Sequence, residues 1–85
     1  MTTTLPRRLS VIAWEIRRTW ISPYFGAVPY VVAMTSLEGL QDRYGYDDAS
    51  SVVRYFLANA RTWRGPDARR IKAELRAMLK EHDAR

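Results

Sequence analysis

Apolar residues recur every three or four positions through most of the chain, and this spacing is typical of amphipathic helices. Pro6 suits a first helical turn, whereas Pro23 disfavours helical backbone at Ser22. The sequence therefore predicts a first helix over residues 6–21. Its apolar stripe consists of Leu9, Ile12, Ala13, Ile16 and Trp20.

The middle of the chain carries a second apolar stripe with the same period. Pro29 can open a helix, and Gly45 can end one because glycine readily adopts the left-handed conformation of a C-terminal stop. We therefore predict a second helix from Pro29 to Tyr44, with Gly39 inside it. Its apolar face consists of Tyr30, Ala33, Met34, Leu37, Leu40 and Tyr44.

Two further helices are predicted on either side of Gly65. The third begins at an N-cap supplied by Asp47 or Asp48 and ends before Gly65, and the fourth begins at Pro66. The apolar face of the third helix consists of Val52, Val53, Phe56, Leu57, Ala60 and Trp63. That of the fourth helix consists of Ala68, Ile71, Leu75, Met78 and Leu79, with His82 at its end.

Together these patterns predict an all-α fold, a compact single-domain bundle of about four helices, with residues 1–5 as a flexible N-terminus. The short connections make successive helices neighbours in space. The alternation of period two that is typical of strands is not visible. The centre of the shared core is expected to consist of Ile16, Leu37, Leu40, Phe56, Trp63, Ile71 and Leu75.

Composition argues against an enzyme or a metalloprotein. A chain of 85 residues forms one small core and is too short for a deep active site. The absence of cysteine and the single histidine, His82, remove disulfides, thiolate catalysis and the common zinc sites. The sequence has neither a glycine-rich phosphate loop nor a histidine-containing triad, and Ser50 and Ser51 are interpreted as cap-region residues. We therefore expect a non-enzymatic protein without a cofactor or metal.

Charge adds a second signal. The 14 basic residues outnumber the 9 acidic ones, which gives a formal net charge of +5. Residues 1–20 carry four arginines and one glutamate, residues 21–48 carry one arginine and four acids, and residues 49–85 carry nine bases and four acids. Both ends of the chain are thus basic and the middle is acidic, a distribution that suits a polyanionic partner.

The predicted fourth helix gathers its basic residues on one flank of its apolar stripe. At about 100° per residue, they fall within an arc of about 80°. We name this set the basic ridge: Arg69, Lys72, Arg76 and Lys80. Arg61 and Arg64 lie just before it, beside Trp63, and the six residues together are named the basic surface. Basic side chains in such a cluster can hold phosphates, so the basic surface is the predicted site for nucleic acid.

Two alternatives to that interpretation stay open. The ridge could be neutralised inside the protein by the acidic middle segment, which contains Glu38, Asp42, Asp47 and Asp48. Alternatively, the protein binds a host or phage protein, or a second copy of itself as a homo-oligomer, through exposed aromatic and basic residues. That interface would consist of Trp14, Arg17, Arg18, Tyr24, Phe25 and Val31.

A membrane location is not expected. The longest uncharged run, residues 19–37, is interrupted by Pro23, Gly26 and Pro29, whereas a span needs about 20 mainly apolar residues in one helix. Arg7 and Arg8 resemble the start of a targeting signal, but charged residues interrupt the apolar stretch that should follow. We therefore expect a cytoplasmic protein.

One string in the predicted third helix is distinctive: residues 55–65 read YFLANARTWRG, followed by ARRIK at residues 68–72 and EL at residues 74–75. Together with YFGAVPY at residues 24–30, AM at residues 33–34 and YG at residues 44–45, it resembles a widespread family of small proteins encoded by tailed bacteriophages, prophages and other mobile elements. The similarity extends from about residue 9 to residue 79. The resemblance implies a phage or mobile-element protein in a bacterial cytoplasm, and it implies no mechanism and no site residues.

Overall fold

A computed structural model describes residues 6–84 of the chain, and the predicted flexible N-terminus, residues 1–5, lies outside them. The described residues form helices α1 (Leu9–Thr19), α2 (Val28–Met34), α3 (Ala49–Ala58) and α4 (Pro66–Asp83). A 3-10 turn at Phe25–Ala27 leads into α2, and two short strands, β1 (Arg43–Tyr44) and β2 (Asp47–Asp48), precede α3. The mostly helical fold is thus confirmed, whereas the expectation of no strands is wrong.

The two strands form a small antiparallel hairpin. Arg43 lies opposite Asp48 and Tyr44 lies opposite Asp47, so that Gly45 and Tyr46 make the turn. Gly45 has a φ of +64°, the left-handed conformation predicted for it. That conformation closes a hairpin turn rather than ending a helix, because the second helix has already ended at Met34.

The early end of α2 is explained by the way α1 begins. The first N–H groups of a helix have no partner inside that helix. The N–H groups of Leu9 and Ser10 instead donate to the carbonyl oxygens of Glu38 (3.0 Å) and Leu37 (2.8 Å). In a helix that continued past Met34, those carbonyls would accept hydrogen bonds from residues four positions later. The prediction of helix over residues 35–44 is therefore wrong because this backbone caps α1.

A local turn fixes the same segment. The carboxylate of Asp42 accepts hydrogen bonds from the backbone N–H groups of Glu38 (2.9 Å) and Gly39 (3.1 Å). These two bonds lower the pKa of Asp42, since they stabilise its charged form. Asp42 therefore fixes the turn in which the carbonyl oxygen of Glu38 accepts the hydrogen bond from the first residue of α1.

Helix α3 is shorter than the sequence predicts. Asp48 occupies the N-cap position, although its side chain forms no capping hydrogen bond. The helix ends at Ala58, where Nδ2 of Asn59 donates to the carbonyl oxygen of Tyr55 at 2.8 Å. Tight turns follow over residues 57–63, so that Trp63 reaches the core from the α3–α4 connection rather than from a helix.

The core forms where the predicted stripes meet. Helix α2 packs against α1 and α3, and α4 packs against the same two helices. Phe56 lies edge-on to both Trp20 and Trp63, with ring centroids 6.3 Å apart in each case, and the two indoles stack at 5.2 Å. All seven residues predicted for the centre of the core are buried: Ile16, Leu37, Leu40, Phe56, Trp63, Ile71 and Leu75.

Candidate functional site

The basic ridge lies on one solvent-facing flank of α4. Arg69, Arg76 and Lys80 are exposed, and Lys72 is half-buried at the edge of the apolar stripe. The ridge extends about 16 Å along the helix axis, since each helical residue advances about 1.5 Å. It is thus long enough to face several successive phosphates of a nucleic acid.

Lys72 connects the ridge to the chain that precedes α4. Its Nζ donates a hydrogen bond to the carbonyl oxygen of Trp63 at 2.6 Å. Partial burial lowers the pKa of Lys72, and so do the positive charges of Arg76 and Arg64. Arg64 and Arg76 are therefore each close enough to Lys72 to repel it, which places the end of the connection and the ridge on one positively charged surface.

Two residues of the α3–α4 connection complete the basic surface. Arg61 and Arg64 are both exposed, on either side of Trp63. Only 4% of Trp63 is accessible to solvent, because its indole stacks on that of Trp20. Its expected place in the core is confirmed, and its ring is not available for stacking on a base. None of the six residues of the basic surface is itself aromatic, so they offer charge alone.

The opposite flank of α4 is held by ion pairs. Arg70 donates to Glu15 at 2.6 Å, and Arg7 lies 2.8 Å from Glu15 and 2.7 Å from Glu74. The hydrogen bond from Arg70 is the main cause that lowers the pKa of Glu15, and the bond to Glu74 raises that of Arg7. These contacts connect α4 to α1 on one flank, which leaves the other flank, with the ridge, facing solvent.

Three of the four acidic residues of the middle segment have other partners. Glu38 pairs with Arg8 at 3.5 Å, and Asp48 pairs with Arg43 at 3.7 Å. Asp42 accepts the backbone hydrogen bonds described above. Within residues 6–84, no carboxylate lies at ion-pair distance from any residue of the basic surface. Neutralisation of the ridge by the middle segment, the first alternative, is therefore not what the structure shows.

The residues of the alternative protein interface form two small clusters. The guanidinium of Arg17 lies 4.9 Å from the ring centroid of the exposed Trp14, a cation–π contact. The rings of Tyr24 and Phe25 also lie 4.9 Å apart, and Phe25 is 80% exposed. Arg18 is exposed on the outer side of α1.

Val31, the sixth residue of that set, does not belong to the exposed surface. It is only 5% exposed, on the side of α2 that faces the core. The expectation that Val31 is exposed is wrong because α2 turns Val28 and Val32 outward instead, and Val31 lies on the adjoining, buried side of the helix.

Sequence reasoning missed a groove between the end of α1 and α2. It has a volume of about 260 Å³. The spacing of Val28 and Val32, four residues apart on the face opposite Met34, could have indicated a second apolar stripe on α2. The groove itself depends on how α1 packs beside α2, which no local pattern encodes. Its walls are formed by Ile16, Arg17, Trp20, Ile21, Pro23, Val28, Val31 and Val32.

The two candidate catalytic side chains, His82 and Ser50, lie on different helices. His82 is half-buried in the last turn of α4, and Ser50 is buried in the first turn of α3. In the part of the chain that the structure describes, no three histidine, aspartate or glutamate side chains converge as metal ligands would. None of the helices over residues 6–84 combines the length and the apolar character that a membrane span requires.

A scan against protein-family models, a search of curated proteins and a search of solved structures each found no match.

Proposed function

We propose that this protein is a non-enzymatic accessory protein of a phage or other mobile element, and that it binds nucleic acid through the basic surface. One observation supports this proposal above the others. The basic surface gathers six cationic side chains, and within residues 6–84 none of them has an acidic partner. Of the seven other arginines over residues 6–84, five have an acidic partner, and Arg17 and Arg18 do not.

A polyanion suits this surface for a physical reason. Like charges three or four residues apart on a helix destabilise it by about 0.2–0.5 kcal/mol per pair. Partial burial is the main cause of the lowered pKa of Lys72, and the positive charges of Arg76 on α4 and Arg64 on the connection lower it further. Phosphates would relieve the repulsion, and the release of counterions from the nucleic acid would favour binding.

The burial of Trp63 favours duplex over single-stranded nucleic acid. Proteins that bind single strands without sequence preference stack bases on aromatic side chains. Trp63 is the aromatic residue between Arg61 and Lys80, and it is buried against Trp20. Binding should therefore depend on phosphate contacts alone, so that the duplex, which has the higher charge density, is the better ligand and its sequence matters little.

Fluorescence anisotropy with a labelled duplex of about 20 base pairs tests this proposal, since such a duplex is several times longer than the ridge. The test variant is the double substitution Arg76→Gln with Lys80→Gln, which keeps helix propensity nearly unchanged. The control is Arg8→Gln with Arg18→Gln, which removes the same net charge from the N-cap and the body of α1. We expect the test variant to bind more weakly on every duplex sequence and the control to bind nearly as wild type does.

The dependence on salt gives the same test a quantitative form. Each lost phosphate contact should make the slope of log affinity against log salt shallower by about one unit, so the double variant should lose about two. Equal weakening in the control would show that only net charge matters. A test variant that binds as wild type does, or a clear preference for single strands, would contradict the proposal.

A further inference from the structure

The groove beside α2 leaves several apolar side chains in contact with water. Ile21 at the end of α1 is 88% exposed, and Val28 and Val32 on α2 are 39% and 45% exposed. These residues border one continuous groove and are not scattered singly over the surface. Contiguous exposed apolar residues around a concave surface are typical of an interaction site.

One wall of this groove is positively charged. Arg17 contributes to the lining and lies over the ring of Trp14. Among the described residues, no carboxylate pairs with Arg17. The chemistry of the groove therefore suits an apolar or aromatic side chain with a carboxylate beside it.

The hairpin tip of this same chain presents that combination. Tyr46 is fully exposed in the turn between β1 and β2. Asp47 follows it directly, is exposed, and forms no ion pair within residues 6–84. A fully exposed tyrosine at the tip of a tight turn does not contribute to the core, so its ring is available to contact a partner.

The hairpin tip and the groove lie at opposite ends of the α2–α3 layer. The hairpin leads directly into the N-terminal end of α3, where the N–H of Ala49 donates to the carbonyl oxygen of Asp42 at 2.8 Å. The groove lies beside the start of α2, and the adjoining turn packs against the other end of α3, since a Cβ on Gly26 would lie 2.8 Å from Oδ1 of Asn59. The hairpin of one chain therefore does not fill its own groove.

We propose that the groove binds the hairpin tip of a second copy of this chain. The ring of Tyr46 enters the groove, and the carboxylate of Asp47 pairs with Arg17 at its wall. The volume of the groove is smaller than that of pockets for drug-sized ligands, roughly 300–1,000 Å³. This size suits a single aromatic side chain. The contact joins two different surfaces, so it is head-to-tail: in a dimer, one copy keeps an unused groove and the other keeps an unused hairpin. This inference is independent of nucleic-acid binding.

Sedimentation velocity on the intact protein tests the association over about 10 µM to 1 mM, the range expected for a contact smaller than a standard interface. Tyr46→Ala removes the hairpin anchor, and Val28→Asp places a charge in the groove. Each should weaken association at least about tenfold. Val11→Asp is the matched control, since Val11 is also an exposed valine in the first turn of its helix. It should associate as wild type does.

A mixture of the two defective variants tests the head-to-tail geometry. The Tyr46→Ala protein keeps its groove, and the Val28→Asp protein keeps its hairpin. An equimolar mixture should therefore form a heterodimer and nothing larger, although each variant alone stays monomeric. If wild type associates but the mixture does not, the contact is of another kind and the proposal is wrong.

Charge reversal tests the pairing of Asp47 with Arg17. Asp47→Arg and Arg17→Asp should each weaken association, and one chain with both changes should regain it. Arg18→Asp, on the neighbouring exposed arginine, should have little effect. A wild-type protein that stays monomeric throughout the concentration range overturns the inference, whatever its affinity for DNA. Circular dichroism melting of every variant confirms that it is folded.

Discussion

Replacing Phe56 by alanine tests the packing on which the whole arrangement depends. The side chain is fully buried, and its ring lies edge-on to both Trp20 and Trp63. Removal of the ring leaves a cavity between α3 and the indole pair. The same cavity lies under the α3–α4 connection, which carries Arg61 and Arg64.

The expected loss is large relative to the stability of so small a domain. Phe→Ala substitutions in cores typically cost about 3–5 kcal/mol, from lost transfer free energy and from the cavity. A domain of this length has a total stability of roughly 4–13 kcal/mol at about 0.05–0.15 kcal/mol per residue. The loss should lower the melting temperature by at least about 12 °C, since 1 kcal/mol corresponds to about 4–8 °C in domains of this size.

Chemical denaturation followed by circular dichroism gives the free energy of unfolding. Tyr55→Ala is the control at the adjacent position of α3. Tyr55 is half-exposed, and the centroid of its ring lies 5.6 Å from that of Tyr30. Loss of the contact between the two tyrosine rings should lower the free energy of unfolding by no more than about 1.5 kcal/mol, in addition to the small loss from the buried part of the Tyr55 side chain. A Phe56→Ala variant that lost less than the Tyr55→Ala variant would refute the helical phase assigned to α3.

Three further predictions follow from local geometry. Gly26→Ala should destabilise the protein by about 1–3 kcal/mol, because the new Cβ would lie 2.6 Å from Cε2 of Tyr24 and 2.8 Å from Oδ1 of Asn59; thermal melting measures this. The hydrogen bond from Arg70 lowers the pKa of Glu15. The ionised Glu15 therefore stabilises the fold above its ordinary pKa of 4.5, and this stabilisation is lost as the pH falls through the lower pKa of the folded state. A Glu15→Gln variant should lose less stability over that acid range than wild type does, as measured by melting at each pH. Removal of divalent metals with EDTA should leave the melting temperature unchanged, and a fall that metal restores would show a metal site.

Much of the fold could be predicted because its helices bury regular stripes. Helix α4 begins at the predicted Pro66, and its apolar positions Ile71 and Leu75 lie in the core. The end of α2 could not be read from the same kind of pattern. The carbonyls of Leu37 and Glu38 are used by α1, which is far away in sequence, and a tertiary hydrogen bond of this kind leaves no periodic signal.

The candidate sites also differ in how far the sequence predicts them. The ridge follows from helical spacing within one continuous helix, so the sequence places Arg69 and Arg76 on one flank, and the structure has them exposed there. Val31 was assigned to the wrong surface because the true face of α2 depends on its neighbours α1 and α3. The groove lies between two elements, and the exposed Tyr46 lies in a hairpin that a helical prediction hides.

The dependence of duplex affinity on salt is the most direct test of the central claim, that the basic surface binds nucleic acid through phosphate contacts. Four to six such contacts on a duplex predict a slope of about −4 to −5 for log affinity against log salt. Wild-type protein should show that slope between about 50 and 200 mM salt. A slope close to zero, or no binding at the lowest salt concentration, would contradict the account.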